Sequence, residues 1–348
     1  MATIGPRSGT IAGVFPTTPR GSDPWDDDVS REIARSAPGR SSSGFYAGAP
    51  EREPEFGKRE EHEDEEFDEE IPVAPVRPKL SVAIAGFAAL LGVGLILGAQ
   101  SSGPDARLSY AIVVFGVQLL FVLAFTMAVR PPAAGVVAGV CAAAGGLADW
   151  LAVTTEPAGM LPLLYVTAGA FVVALGGQAI RARDRLRLRD ALGGTFLIVF
   201  GVVSFALLVV LTRRPVGTQA ILVCLTAAGV ALLVAHLTDA VWPKPRIAAQ
   251  VPRGAAGIVL GAMLGTLAAA GLGSVLVLPF TPGKGAMLGF AVAGIAGLVD
   301  LAVNYAEAGR SMAGDAPTFW VARHMQGPLG AFALSLPATY ALTFFFLS

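Results

Sequence analysis

Apolar residues fill nine segments of this chain, each close to the length of a helix that crosses a lipid bilayer. The segments cover, approximately, residues 80–99, 107–129, 132–153, 159–180, 191–212, 218–240, 254–280, 284–307 and 326–347. Because hydrophobic residues make up 54% of the chain, an integral membrane protein fits better than a soluble enzyme. We predict an all-α fold, a polytopic membrane helix bundle of about nine transmembrane helices spanning residues 79–348.

Residues 1–78 differ sharply from the rest and read as a disordered, acidic cytoplasmic tail. Residues 51–70 hold 12 acidic and three basic side chains, so this segment cannot bury enough apolar surface to fold alone. Residues 23–37 combine an aromatic residue with an acidic start and a basic end, which favours a short helix on binding a partner. The predicted partner-binding residues are Trp25, Asp26, Asp27 and Asp28.

Basic residues in the loops predict the orientation in the plasma membrane. Eleven Lys and Arg side chains fall in loops on the side of the tail and four on the other, so the tail is expected in the cytoplasm and the C-terminus outside. Arg213 and Arg214 go against this rule. Five cations of one loop form a topology anchor and candidate contacts for anionic lipid headgroups. They are Arg181, Arg183, Arg185, Arg187 and Arg189.

Polar groups inside two apolar segments are the candidate functional site. Asp300, Asn304 and Glu307 share one helix face, and His236 and Asp239 end another helix. A carboxylate facing lipid is costly, so these groups should point into the bundle and meet near the cytoplasm. They fit a site for Mg²⁺ or phosphate, ion pairs with loop arginines, or an ion or proton pathway. The arginines for such pairs are Arg246, Arg253, Arg310 and Arg323.

Other polar or small residues predict packing or solvation. Asp149, beside Trp150 at a helix end, is expected to be solvated, and Cys141 and Cys224 read as small packing residues. Small-residue pairs predict close helix contacts. They are Gly135 with Gly139, Gly261 with Gly265, and Gly285 with Gly289.

Residues 230–348 resemble the C-terminal part of the bacterial phosphatidate cytidylyltransferases, the CDP-diacylglycerol synthases. HLTDAVW is similar to the Ser-Asp block of that family, VPRGAAGIVLGAMLGTLAAAG to its Ser-Pro-Lys-Lys block, and GAMLGFAVAGIAGLVDLAVN to its helix ending in Gly-Asp. ARHMQGPLGAFALSLPATYALTFFF follows the layout of its His-Gly-Gly segment and last helix. The resemblance implies a cytoplasmic metal-dependent site that joins CTP to phosphatidic acid, with Asp239, Asp300 and His324 at matching positions.

The chain departs from that family at its cations. Glu307 and Ala308 stand where the family has Lys-Arg, and Arg253 alone stands for its Lys-Lys. The family's Asp-Arg-x-Asp is absent, and only Asp315 lies near its later aspartate. A site for a triphosphate favours several cations beside carboxylate-bound metal, and here most of those cations are missing.

These observations favour a non-catalytic relative, a membrane scaffold whose tail recruits cytoplasmic or membrane proteins in envelope growth or division. One alternative is an active Mg²⁺-dependent lipid nucleotidyltransferase, and the other is a transporter. Mg²⁺ is the only cofactor that the residues suggest. Membrane lipids and proteins are the expected partners, and nucleic acid is not.

Overall fold

A computed structural model describes residues 74–75, 77–103, 107–181, 185–315 and 318–347, without the side chains of 185–190. The predicted tail residues Trp25, Asp26, Asp27 and Asp28 lie outside this part of the chain. The described residues form nine helices: α1 (Pro78–Ser101), α2 (Arg107–Val129), α3 (Ala134–Thr154), α4 (Leu161–Arg181), α5 (Arg185–Thr212), α6 (Gly217–Val241), α7 (Ala255–Val275), α8 (Pro282–Met312) and α9 (Trp320–Phe346).

The predicted all-α membrane bundle is confirmed. All nine of these helices are long and apolar enough to cross a bilayer. Within the described ranges, extended pairing is limited to one isolated bridge between Arg246 and Gly254. The chain is therefore a multi-pass membrane protein.

Three helices reach further than the apolar pattern predicts. α5 begins at Arg185, so three of the predicted loop arginines belong to a helix. α8 continues past residue 307 to Met312, and α9 begins at Trp320, six residues before the predicted start. The extensions of α8 and α9 are polar. Arg310 within α8 and Arg323 of α9 both pair with Glu307, so apolar length alone could not predict these ends.

Contacts between loops show which helix ends share a side of the bundle. Ala74, just before α1, bonds to Ala249 between α6 and α7. At the other end, Gln100 of α1 donates to the Thr218 carbonyl of α6. We call the side where α1 begins the tail side and the other the opposite side; α6 and α8 end on the tail side.

The helices pack in two groups that share α9. In one group α6 lies between α1, α7 and α8, and in the other α2, α3, α4 and α5 pack against one another. α9 contacts α8 and α6 of the first group and α5 and α2 of the second. α5 and α6 are the most enclosed helices, so the core of the bundle lies between them and α9.

Glycines let α7 approach its two neighbours closely. A Cβ on Gly265 would lie 2.5 Å from the Ala227 carbonyl oxygen of α6, and one on Gly261 would overlap the Ala231 carbonyl oxygen. Gly285 and Gly289 of α8 face α7 in the same manner. Two of the three predicted glycine pairs therefore form close contacts. Gly135 and Gly139 do not, because no described atom lies within 4 Å of a Cβ built on either.

Exposed aromatic side chains mark the two ends of the bundle. Trp150, Tyr165 and Phe345 are exposed on the opposite side, and Trp242 and Trp320 on the tail side. Trp and Tyr are enriched where a membrane meets water, so these residues fit anchors at the two interfaces.

Candidate functional site

A buried cluster of four charged or polar side chains joins α6, α8 and the loop before α7. Arg253 NH1 donates to Asp239 Oδ2 at 2.6 Å. The second terminal nitrogen of Arg253 lies 2.8 Å from Asp300 Oδ2, an ion pair whose angle is not that of a hydrogen bond. His236 Nε2 lies 3.3 Å from Asp300 Oδ1. The prediction that Asp239 and Asp300 lie side by side is confirmed, and Arg253 joins them.

A short hairpin-like loop brings Arg253 into the core. Ile247 N donates to the Arg253 carbonyl, and Ala255 N donates to the Pro245 carbonyl, so residues 245–255 double back on themselves. Arg253 therefore leaves the loop one residue before the N-cap of α7. Its side chain is only 2% exposed.

Glycines on two helices make room for the acids of the cluster. A Cβ on Gly257 of α7 would lie 2.5 Å from Asp239 Oδ1, and one on Gly327 of α9 would overlap Asp300 Oδ1. Sequence reasoning missed these positions. In a sequence, a glycine that leaves space for a neighbouring side chain cannot be distinguished from one that lets two helices pack closely.

The contacts of His236 indicate which tautomer of its imidazole is present. Arg253 NH1 lies 2.9 Å from His236 Nδ1, and because arginine only donates, Nδ1 must accept. The proton of the neutral imidazole is then on Nε2, where it faces Asp300 Oδ1.

With both acids ionised the cluster carries one net negative charge. The Gly254 N–H at the start of α7 donates to Asp239 Oδ1 at 3.0 Å, which places the positive end of the helix dipole against that charge.

All four carboxylate oxygens of the cluster face a protein group. Asp239 accepts hydrogen bonds from Gly254 N and Arg253, and Asp300 faces His236 with one oxygen and Arg253 with the other. Mg²⁺ needs oxygen ligands that are free to coordinate it. The described residues also include no group of three or more His, Cys, Asp and Glu side chains arranged to hold a metal ion. In this arrangement the cluster can join helices, and a ligand would have to displace Arg253.

Glu307 belongs to a second cluster nearer the tail side. It accepts from Arg310 of its own helix, lies 3.2 Å from Arg323 Nε of α9, and accepts from Thr318 at 3.3 Å. Glu307 is buried while both arginines are partly exposed. Of the four predicted arginine partners, Arg253, Arg310 and Arg323 thus pair with the acids.

The remaining predicted site residues lie outside both clusters. Asn304 is half-buried and donates to the Asp300 carbonyl of its own helix at 2.7 Å. His324 is half-buried and stands edge-on to Trp320, with ring centres 5.4 Å apart. Arg181 is exposed at the end of α4, and the side chains of Arg183, Arg185, Arg187 and Arg189 lie outside the described part.

Asp149 is buried, so the prediction that it is solvated is wrong. Its helix end packs against α2, where Gln118 Nε2 donates to Asp149 Oδ1 at 3.1 Å. Asp149 is 5% exposed although its neighbour Trp150 is 61% exposed. The signal that could have found this contact is Gln118 itself, a polar residue in the middle of an apolar helix.

Arg213 and Arg214, the exceptions to the charge rule, bind protein groups on the opposite side. Arg213 donates to the carbonyls of Ala152 and Thr155 at 2.7 and 2.9 Å and pairs with Glu156. Arg214 donates to the carbonyl of residue 158 and lies over two aromatic rings of α9. Because these two arginines bind groups at the end of α3 and aromatic rings of α9, they stabilise helix packing. Their positions therefore say little about the orientation of the chain in the membrane.

The segment before α1 is attached beside the buried cluster. Arg246 NH1 donates to the Ala74 carbonyl at 2.6 Å, and Ala74 N donates to the Ala249 carbonyl at 3.0 Å. The same loop therefore carries Arg253 into the core and binds the backbone at the point where residues 1–73 join the bundle.

No protein-family model, curated protein or solved structure matches the chain.

Proposed function

We propose that this protein is a non-catalytic membrane scaffold, in which the bundle is an anchor and residues 1–73 recruit cytoplasmic or membrane proteins. The single observation that carries the proposal is the pairing of Arg253 with both Asp239 and Asp300. The two acids that would hold a metal in a lipid nucleotidyltransferase are paired with an arginine and buried from water.

Energetics favour a structural role for the cluster. Burying a charge is costly unless it is paired and hydrogen-bonded. Here one guanidinium meets two carboxylates from separate helices, so each acid depends on Arg253 for its compensation. An active site keeps at least one ligand position open for substrate or metal, whereas three oxygens of this pair face hydrogen-bonding groups and the fourth, Asp300 Oδ2, forms an ion pair with Arg253.

The attachment of Ala74 supports a recruiting tail. The tail is long, strongly charged and has one tryptophan beside three acids, a composition suited to binding in an extended or induced form. Two hydrogen bonds to the loop between α6 and α7 fix where it leaves the bundle. A scaffold needs such a fixed exit point, and lipid nucleotidyl transfer has no use for an acidic tail of this length.

Proximity labelling in cells tests the recruiting role. A labelling enzyme is fused to the N-terminus, on the side of the tail, of the full chain, of a variant with Trp25→Ala, Asp26→Asn, Asp27→Asn and Asp28→Asn, and of a matched variant with Glu60→Gln, Glu61→Gln, Glu63→Gln and Asp64→Asn. We expect a set of proteins labelled by the full chain and the matched variant and lost in the first variant. A chain carrying only residues 1–73 on an unrelated membrane anchor should recover the same set.

Two results would contradict the scaffold proposal. One is an unchanged set of labelled proteins in the Trp25 variant. The other is turnover of CTP with phosphatidic acid by the purified full chain in Mg²⁺ that Asp300→Asn abolishes, because that would make the cluster an active site.

A further inference from the structure

The contact between Asp149 of α3 and Gln118 of α2 leaves two buried oxygens without partners. Gln118 Nε2 donates to Asp149 Oδ1, but Asp149 Oδ2 and Gln118 Oε1 have no hydrogen-bond partner. Gln118 is 0% and Asp149 5% exposed. Both atoms are acceptors when the acid is ionised, so the contact as it stands lacks a donor.

No cation compensates Asp149. Among the described residues, no Lys, Arg or His nitrogen forms an ion pair with it. Arg213, which binds the end of the same helix, donates to carbonyls three and six residues beyond Asp149 and pairs with Glu156. Tyr110 of α2 lies near enough to interact electrostatically with Asp149, but its hydroxyl donates to the Leu95 carbonyl of α1.

The surroundings of the pair are apolar. Gln118 lies at the midpoint of α2, and Gly145, one turn before Asp149, packs against its amide together with Val202 of α5. An ionised carboxylate buried among apolar side chains without a counter-charge is strongly disfavoured. A donor supplied to the two free oxygens would remove both the charge and the missing hydrogen bond.

We propose that Asp149 and Gln118 form a proton-binding site inside the membrane. Asp149 carries a proton, taken from water, on Oδ2 at neutral pH, and this hydroxyl donates to Gln118 Oε1. The acid and the amide then share two hydrogen bonds, and one proton satisfies every polar atom that the contact leaves open.

A proton is favoured over a metal cation by the number of ligands. The pair offers two free oxygens, whereas Ca²⁺ takes six to eight oxygen ligands and Mg²⁺ six. A proton needs one donor position and one acceptor, which is what the pair provides. Loss of the proton would leave a charge in the apolar contact between α2 and α3, so the site ties the packing of these two helices to proton occupancy.

Infrared spectroscopy of the full chain in lipid nanodiscs, grown with ¹³C-labelled aspartate, tests this site. At pH 7 we expect a C=O stretch of a protonated aspartic acid that shifts to lower frequency in D₂O. Asp149→Asn should remove the band completely, and Asp315→Asn, a change at an exposed aspartate, should leave it unchanged. Gln118→Leu should keep the band and move it to higher frequency, because the acid loses its hydrogen-bond partner.

Each of the following results would overturn the proton site. Wild-type protein at pH 7 without a protonated aspartate band would show that Asp149 is ionised. A band that persists in folded Asp149→Asn protein would belong to another aspartate. A band that appears only when choline chloride replaces sodium chloride would show that a metal cation occupies the site. An unshifted band in Gln118→Leu would exclude the acid–amide pair, whether or not Asp149→Asn folds.

Discussion

At the scale of single residues, the bundle depends on side chains that satisfy backbone or charged groups where water is absent. Arg213 illustrates this, because its guanidinium binds the last carbonyls of α3, which have no partner within the helix. The planar fork of arginine reaches two acceptors at once, which a lysine ammonium does less well. This capping role explains why Arg213 lies in a loop where the charge rule does not expect a basic residue.

Replacing Arg213 by Leu should destabilise the bundle by about 2–4 kcal/mol, because two partly buried carbonyls lose charged hydrogen bonds. Glu156→Gln removes only the partner that is 75% exposed and should cost less than about 1 kcal/mol. Unfolding of both variants in detergent micelles by titration with SDS gives these free energies. Equal losses in the two variants would mean that the exposed ion pair, and not the capping of α3, is what Arg213 contributes.

Residue types in the sequence indicated the acids but not their partners. Spacing placed Asp300 and Glu307 on one face of α8, and that is where they lie, both buried. Four arginines were equal candidates as partners, because the choice depends on how residues 245–255 double back, which no periodicity encodes. Asp149 was misjudged because a helix end was taken as a sign of solvent, although α2 covers it.

At the scale of helices, apolar length and small residues together determine the architecture. Length alone identified all nine spans, because a bilayer requires it. The ends of α8 and α9 escaped that reasoning, since ion pairs stabilise their polar extensions. Glycine spacing predicted which helix faces approach closely in α7 and α8 but could not distinguish them from the glycines of α3, because both patterns are the same in sequence.

Gly261→Ala should therefore destabilise the contact between α7 and α6 by about 1–3 kcal/mol, because the added methyl overlaps the Ala231 carbonyl. Gly271→Ala is the matched control on the same helix, where no described atom lies within 4 Å of the new methyl. It should leave stability unchanged or raise it slightly, since alanine favours helix. SDS titration measures both variants, and a stable Gly261→Ala protein would show that α7 does not pack this closely.

At the scale of the whole molecule, the buried cluster joins the helices that meet on the tail side. Arg253 links α6 to α8, Gly327 brings α9 against Asp300, and the loop that carries Arg253 also binds Ala74 before α1. α6, α8 and α9 thus meet around one guanidinium, and the loop that carries it also binds Ala74. The account of this protein as a scaffold depends on this cluster being a structural joint.

The most direct measurement of that claim is the stability of variants of the cluster, by SDS titration of the full chain. If Arg253 joins the helices, Arg253→Met alone should cost about 3–5 kcal/mol, because it leaves the buried carboxylates of Asp239 and Asp300 without a counter-charge. Removing all three charges together, with Asp239→Asn, Arg253→Met and Asp300→Asn, should restore most of the loss. An Arg253→Met protein as stable as the wild type would show that Arg253 does not join the helices, and would contradict the account.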